Sequence, residues 1–246
     1  MNIIVKLGAG YGLQINWTKV ELLAVRCAPA LKNGLGSILP CKSSIVYLGA
    51  SVDTSGSIQS ELNRRIGLAY VDLNALTRIW NHANLTREWK YRIYTACILT
   101  KLLYGLQTAW LTKTQRKTLD GFHPRCVRII TGAKLSFWSR VSNAEVLASI
   151  NAPLLSAMLL EQQLKYFGKV YRRMDADITR TFVFQPSSDQ LVEASFRKRR
   201  GRPRLSWALE LRKHAIILIG NQPLGLAMQS EHDWRLAVQR YCGSPK

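Results

Sequence analysis

Residues 57–80, SIQSELNRRIGLAYVDLNALTRIW, decide how this chain folds. Ile58, Leu62, Ile66, Ala69, Leu73 and Leu76 recur three or four residues apart, which puts them on one helical face that continues to about Trp80. Arg64, Arg65 and Arg78 fall near the edges of that face or away from it. A half-buried strand would instead alternate at every second residue.

The helical period continues toward the C-terminus. Thr86 is placed to cap a second helix with Trp89, Ile93, Ala96, Leu99 and Leu103 on its buried side, bending near Tyr104-Gly105. Thr114 can cap a third through Leu119, Phe122, Cys126 and Ile130, with Gly132 near its stop and Pro124 as a kink or a break. Ser142 and Glu145 have capping-box spacing. Pro153 suits the start of a helix carrying Leu154, Met158, Leu159, Tyr166, Phe167 and Val170. Residues 185–204 read as a polar connector, and 205–219 and 231–241 as terminal helices.

Toward the N-terminus the pattern changes. The first fifty residues read as short strands and turns broken by Gly8, Gly10, Gly12, Gly34 and Gly36, with extended pieces in GLQINWTKVELLAV and SSIVYLGASV. The expected fold is therefore mainly α: a small strand-rich piece (1–56), a helical region (57–135), a helical extension (136–184), and a basic linker with terminal helices (185–246).

The formal net charge is +20, yet 47% of the residues are hydrophobic. A disordered basic tail lacks that apolar content, so a folded domain with a positive field is expected, and nucleic acid is the natural polyanion for it. No apolar run is long enough for a membrane span, and MNIIVKLGAGYG lacks the flanks of a signal peptide, which points to the nucleus or cytoplasm. Cys27, Cys41, Cys97, Cys126 and Cys242 are scattered without a C-x-x-C pair, so neither a disulfide framework nor a zinc knuckle is expected.

Acids are scarce, and Glu21 is the only one before Asp53. Two-metal phosphoryl transfer needs clustered carboxylates. Asp175 and Asp177 are the nearest match, but they read more simply as acids balancing Arg172, Arg173 and Arg180, while Glu231 and Asp233 suit a helix's first turn after Ser230. Asp53, Asp72 and Asp120 stand alone. GAGYG at Gly8 lacks dinucleotide-binding spacing and reads as a glycine turn.

The sharpest local motif is RKRRGRPRLSW. Arg197, Lys198, Arg199, Arg200, Arg202 and Arg204 surround Gly201 and Pro203. Its R-G-R-P core resembles an AT-hook, in which an extended arm carries arginines into a narrow minor groove. It also fits a nuclear-import patch, or a basic linker that touches phosphates unspecifically.

Taken in order, GLQINWTKVELL, IVYLGASVDTSGSIQSELNRRIGLAYVDLNALTRIW, KYRIYTACILTKLLYGLQTAWLTKTQRKTLDGFHPRCVRIITG, SNAEVLASINAPLLSAMLLEQQLKYFGKVYRRM and RGRPRLSW resemble the reverse transcriptase of non-LTR (LINE-type) retrotransposons, from the end of the palm through the thumb. The resemblance implies that Lys19 matches a palm lysine near the incoming nucleotide, and that Tyr47-Leu48-Gly49 matches the strand turn holding the primer end. It makes 57–131 thumb-like, with Arg64, Arg65, Lys90, Arg92 and Lys101 as phosphate contacts.

The family's aromatic-x-Asp-Asp turn, earlier palm aspartate and fingers are absent, so the resemblance implies a remnant or a partial gene model. No cofactor is expected in this chain; Mg²⁺ would belong only to a complete polymerase. The expected partners are DNA, RNA or RNA–DNA hybrid and, for polymerase activity, a missing N-terminal polymerase half, with no membrane. The competing readings are a DNA-binding adaptor using the RGRPR arm, a non-functional remnant, and the C-terminal part of an active enzyme.

Overall fold

The first unit of the chain, Met1–Arg64, opens with a helix, α1 (Asn2–Gly10), where strands and turns are expected from the sequence. Ile3, Ile4 and Val5 are consecutive rather than alternating, so they offer no half-buried strand face. Gly12, at φ 71°, closes the helix, with the Leu13 N–H donating to the Gly8 carbonyl at 2.9 Å. GAGYG is thus a helix terminus and its turn. This computed structural model describes residues 2–25, 27, 31–34, 36–192 and 206–243. The basic run at 197–204, and Leu205 at the expected start of a terminal helix, lie outside the described residues.

Beyond α1 a single 3-10 turn, Trp17–Lys19, is capped by Asn16, whose Oδ1 accepts from the Thr18 N–H at 3.1 Å. Two small sheets follow. Strands β1 (Leu22–Leu23) and β2 (Cys41–Lys42) pair in parallel; β3 (Ser44–Tyr47) and β4 (Ala50–Asp53) form an antiparallel hairpin with Tyr47 opposite Ala50. The hairpin realises the extended piece read in SSIVYLGASV.

Helix α2 (Gln59–His82) carries the apolar repeat of residues 58–80. Leu62, Ala69, Leu73 and Trp80 are buried, with Ile58, Ile66 and Leu76 half-buried beside them. Arg65 departs from its expected place at the margin: it is only 7% exposed.

In the second unit, Arg65–Lys246, α3 (Arg87–Tyr94) runs through a π turn at Thr95–Leu99 into α4 (Thr100–Leu103). The extra residue in the π turn shifts the buried face. Tyr94, Ile98, Leu99, Leu102 and Leu103 are inside, whereas Trp89 and Ala96, expected inside, are exposed. Gly105, at φ 79°, makes the bend expected at Tyr104-Gly105.

Helix α5 (Lys113–Thr131) is capped by Thr112 rather than Thr114. Thr112 and Gln115 form a reciprocal box, the hydroxyl accepting from the Gln115 N–H and Gln115 Oε1 from the Thr112 N–H. The helix continues through Pro124, which costs about 3 kcal/mol in a helix interior. Phe122, His123, Cys126 and Val127, buried on both sides of the proline, offset that cost.

A short helical turn, α6 (Ser136–Ser139), leads to α7 (Asn143–Ala148), which starts with the expected Ser142–Glu145 box. Helix α8 (Leu155–Tyr171) begins two residues after Pro153. Its Ser156 N–H is satisfied by Asp120 Oδ1 of α5 at 2.8 Å, which gives that solitary acid a structural role. After α9 (Ile178–Thr181) come α10 (Trp207–Ile219), α11 (Leu224–Gln229), which the sequence reading did not separate, and α12 (Glu231–Gly243).

Helix α8 packs against α5, α10, α11 and α12. Its Phe167, Leu164 and Val170 join Phe184, Leu211, Met228 and Trp234 in one core. The fold is therefore mainly helical with a small strand region, as expected. No helix among the described residues is long and apolar enough to cross a membrane, and the five cysteines are unpaired thiols.

Candidate nucleic-acid interface

The positive surface of the second unit is built on α3, α5 and the segment after it. On α3, Thr86 accepts from the Trp89 N–H and fixes the first turn. Trp89 stands 55% exposed, and the Arg92 guanidinium lies 5.2 Å from its ring centre. This cation–π contact holds the exposed charge in place without neutralising it. Lys90 is half-buried one residue on.

Helix α5 presents Lys113 and Lys117 on its first two turns and Arg125 further along, all exposed. Arg125 reaches the Tyr70 hydroxyl at 3.5 Å. Arg116 instead lies over the Trp110 ring at 4.4 Å and donates to the Leu111 carbonyl. From Gly121 to Ala144 there is no acid, while Arg125, Arg128, Lys134 and Arg140 are all present. That acid-free stretch is a sequence signal for Arg125, Lys134 and Arg140, and the equally acid-free stretch from Trp89 to Leu119 is one for Lys113 and Lys117; none of the five was among the expected contacts.

The expected contact residues divide. Arg65 Nη1 donates to the Lys101 carbonyl at 3.0 Å, and its guanidinium sits 4.9 Å from the Tyr104 ring centre, so these two expected residues meet through the backbone. Lys101 pairs with Asp72 at 2.8 Å, and that bond raises its pKa. Lys90 and Arg92 remain on the α3 surface.

In the first unit, Arg64 joins the Tyr47-Leu48-Gly49 turn. Its Nη2 donates to the Gly49 carbonyl at 2.6 Å and to Glu61 Oε1 at 2.9 Å, and its Nε donates to Glu61 Oε2 at 2.8 Å. Glu61, 2% exposed, also accepts the Ser51 N–H at 2.9 Å. The hydrogen bond to Glu61 raises the Arg64 pKa. Glu61 went unnoticed in the sequence because a lone glutamate in a helix's first turn reads as ordinary surface. The expected palm residue Lys19 stands exposed at the end of its 3-10 turn.

The acids are occupied structurally. Asp177 caps α9 through the Thr179 N–H and pairs with Arg173 at 3.0 Å. Asp175 binds Arg180 Nε at 2.7 Å and the Ser187 hydroxyl at 2.7 Å, and the hydrogen bonds from Ser187 and Arg180 hold its carboxyl below the usual range. Arg180 is 5% exposed, between the Tyr171 and Phe184 rings. Glu231 and Asp233 lie in the first turn of α12, and Ser230 Oγ accepts from the Asp233 N–H. Among the described residues no group of three or more His, Cys, Asp or Glu side chains could hold a metal ion.

Of the histidines, His123 is buried and His214 half-buried. His123 Nδ1 lies 3.0 Å from the Tyr94 hydroxyl, with the rings stacked and Nε2 buried without a partner. Burial lowers its pKa to about 4 and raises that of neighbouring Cys126 to about 12. His214 Nδ1 meets the Tyr241 hydroxyl at 2.8 Å. Burial that keeps His123 and Cys126 neutral suits them to packing rather than proton transfer.

Comparison of the chain with family models, with curated proteins and with solved structures finds no match.

Proposed function

We propose that this chain is a catalytically incomplete, reverse-transcriptase-like protein that holds DNA, RNA or an RNA–DNA hybrid without strong sequence specificity. One observation carries the reading. Asp72, Asp120, Glu145, Asp175 and Asp177 are engaged within the fold, whereas Lys113, Lys117, Lys134 and Arg140 are exposed and outside the ion pairs formed among the described residues. These four side chains therefore present their charge to solvent as cations. These meet phosphates and release counterions, which supplies affinity independent of sequence.

The test is binding of the full chain to a labelled duplex across a salt series. The logarithm of the association constant should fall linearly with the logarithm of salt concentration, at about 0.9 per phosphate engaged. Replacing Lys113 and Lys117 by Gln should make that slope shallower by about 2. Binding that is absent or indifferent to salt overturns the proposal. Template-directed nucleotide incorporation by the purified chain with Mg²⁺ overturns its catalytic half.

A second reading, a remnant without function, draws on the first unit, where Ile3, Ile4, Leu7, Tyr11 and Leu13 are all exposed. It expects poor solubility and rapid proteolysis there. A monomeric chain that resists protease before residue 60 refutes it.

A further inference from the structure

The segment between α5 and α7 combines features that surface loops seldom share: tight anchoring and outward aromatic rings. Arg128, 5% exposed, clamps both its ends. Its Nη1 donates to the Lys134 carbonyl at 2.7 Å, and its Nη2 donates to the Val141 carbonyl at 2.7 Å and to Asn143 Oδ1 at 3.2 Å. Inside the clamp, the Ser139 hydroxyl bonds the Lys134 and Leu135 carbonyls, and the Arg140 N–H donates to the Ser136 carbonyl. Arg140 itself takes φ 56°, a left-handed conformation that turns the chain back toward Arg128. A loop fixed this closely could have folded its apolar side chains inward. Instead Phe137 is 69% exposed and Trp138 is 73% exposed.

Their surroundings are cationic. Lys134 and Arg140 flank the rings, the Arg140 guanidinium lies 5.8 Å from the Phe137 ring centre, and the acid-free stretch from Gly121 to Ala144 surrounds them. The two rings are 5.0 Å apart and perpendicular, at 88°. We propose that residues 134–141 form a stacking platform for unpaired bases of single-stranded nucleic acid, with Lys134 and Arg140 on the adjoining phosphates. This rests on the nucleic-acid reading above and adds a site and a strand preference to it.

Three considerations select that occupant. Perpendicular rings offer separate faces to separate bases, and a single strand has free base faces where a duplex interior has none. A patch of so few side chains falls well short of the roughly 1,000 Å² that a specific protein interface buries. Membrane-surface binding calls for a helix with a continuous apolar face, and α6 (Ser136–Ser139) is a single turn.

The experiment compares the full chain with its Phe137→Ala/Trp138→Ala variant. Fluorescence anisotropy with a labelled oligothymidylate and with a blunt-ended duplex reads binding. Far-ultraviolet circular dichroism checks that the variant is folded, as expected for substitutions at exposed positions. The variant should bind the single strand at least about 10-fold more weakly and the duplex within about 2-fold of the parent. Trp138→Phe should restore most of the single-strand affinity. If the parent binds neither probe, the nucleic-acid reading itself fails. If the parent binds both and the variant matches it, the platform is wrong while that reading stands. Loss of binding to phosphatidylserine vesicles with oligothymidylate affinity unchanged would make the loop a lipid contact and overturn the proposal.

Discussion

The two units of this chain are held together by different means. In the first, Leu39 and Leu62 are the buried apolar side chains among the described residues. Its strands are two to four residues long, and pairs of such strands have no second layer in which to close a core. Order there comes from polar bonds, with Glu61 and Arg64 tying the hairpin's turn and second strand to the start of α2. In the second unit, α2 to α5, α7, α8 and α10 to α12 all contribute buried apolar side chains, and the polar bonds mainly finish what packing begins. Element length decides which regime applies: a helix of three or more turns can bury a continuous stripe, whereas a two-residue strand cannot.

The largest expected effect lies where α8 meets α12. Trp234 is 1% exposed, and its indole N–H donates to the Leu164 carbonyl at 2.9 Å. It lies so close to Gly168 that a β-carbon added there would come within 2.4 Å of the indole nitrogen. Trp234→Ala should cost about 3–5 kcal/mol through the cavity it leaves, and Gly168→Ala about 1–3 kcal/mol through overpacking. Urea unfolding followed by circular dichroism measures both. Losses below about 0.5 kcal/mol, the range of ordinary surface changes, would mean that packing does not dominate this unit.

His123 sharpens the comparison through pH. Its folded-state pKa of about 4 lies below the unfolded value of about 6.5, because burial disfavours the imidazolium. Between those values the unfolded chain takes up a proton that the folded chain refuses. The associated stability is complete above pH 6.5, falls on acidification, and levels off below pH 4. The difference amounts to about 3 kcal/mol. Urea midpoints measured from pH 7.5 to pH 4 should therefore decline in the parent and much less in His123→Phe. Carboxylates with lowered pKa, such as Asp175 and Glu145, lose stability at still lower pH in both proteins. Identical profiles for parent and variant would remove His123 as the source.

How much of this was legible in the sequence follows the same division. The helical unit was readable because its apolar period and caps are local: residues 57–80, the Ser142–Glu145 box and the α12 start all formed where expected. The misses have local causes as well. A π turn displaced the buried face after Trp89, and a Thr-x-x-Gln box moved the α5 cap from Thr114 to Thr112. The first unit was harder, since α1 hides in a run of β-branched residues and the Glu61–Arg64 anchor reaches ten or more positions back to Ser51 and Gly49. For the candidate interface, abundant charge was visible at once. Which cations are taken up internally was not, because a carbonyl partner such as that of Lys101 for Arg65 leaves no mark in the sequence.

The smallest effect is also the one most specific to the first unit. The β3–β4 hairpin turns through Leu48 at φ 47° and Gly49 at φ 79°. Two left-handed residues in a two-residue loop make a type I′ turn, whose twist matches the flanking strands and whose favoured sequence is Asn-Gly. Leucine in that conformation is strained, and its side chain, 76% exposed, gains little from burial in return. Leu48→Asn should therefore stabilise the hairpin by up to about 1 kcal/mol. Slower amide exchange in β3 and β4, with exchange in α8 unchanged, is the expected result. Faster exchange in the hairpin would show that Leu48 contributes packing there and that the first unit relies on apolar contact after all.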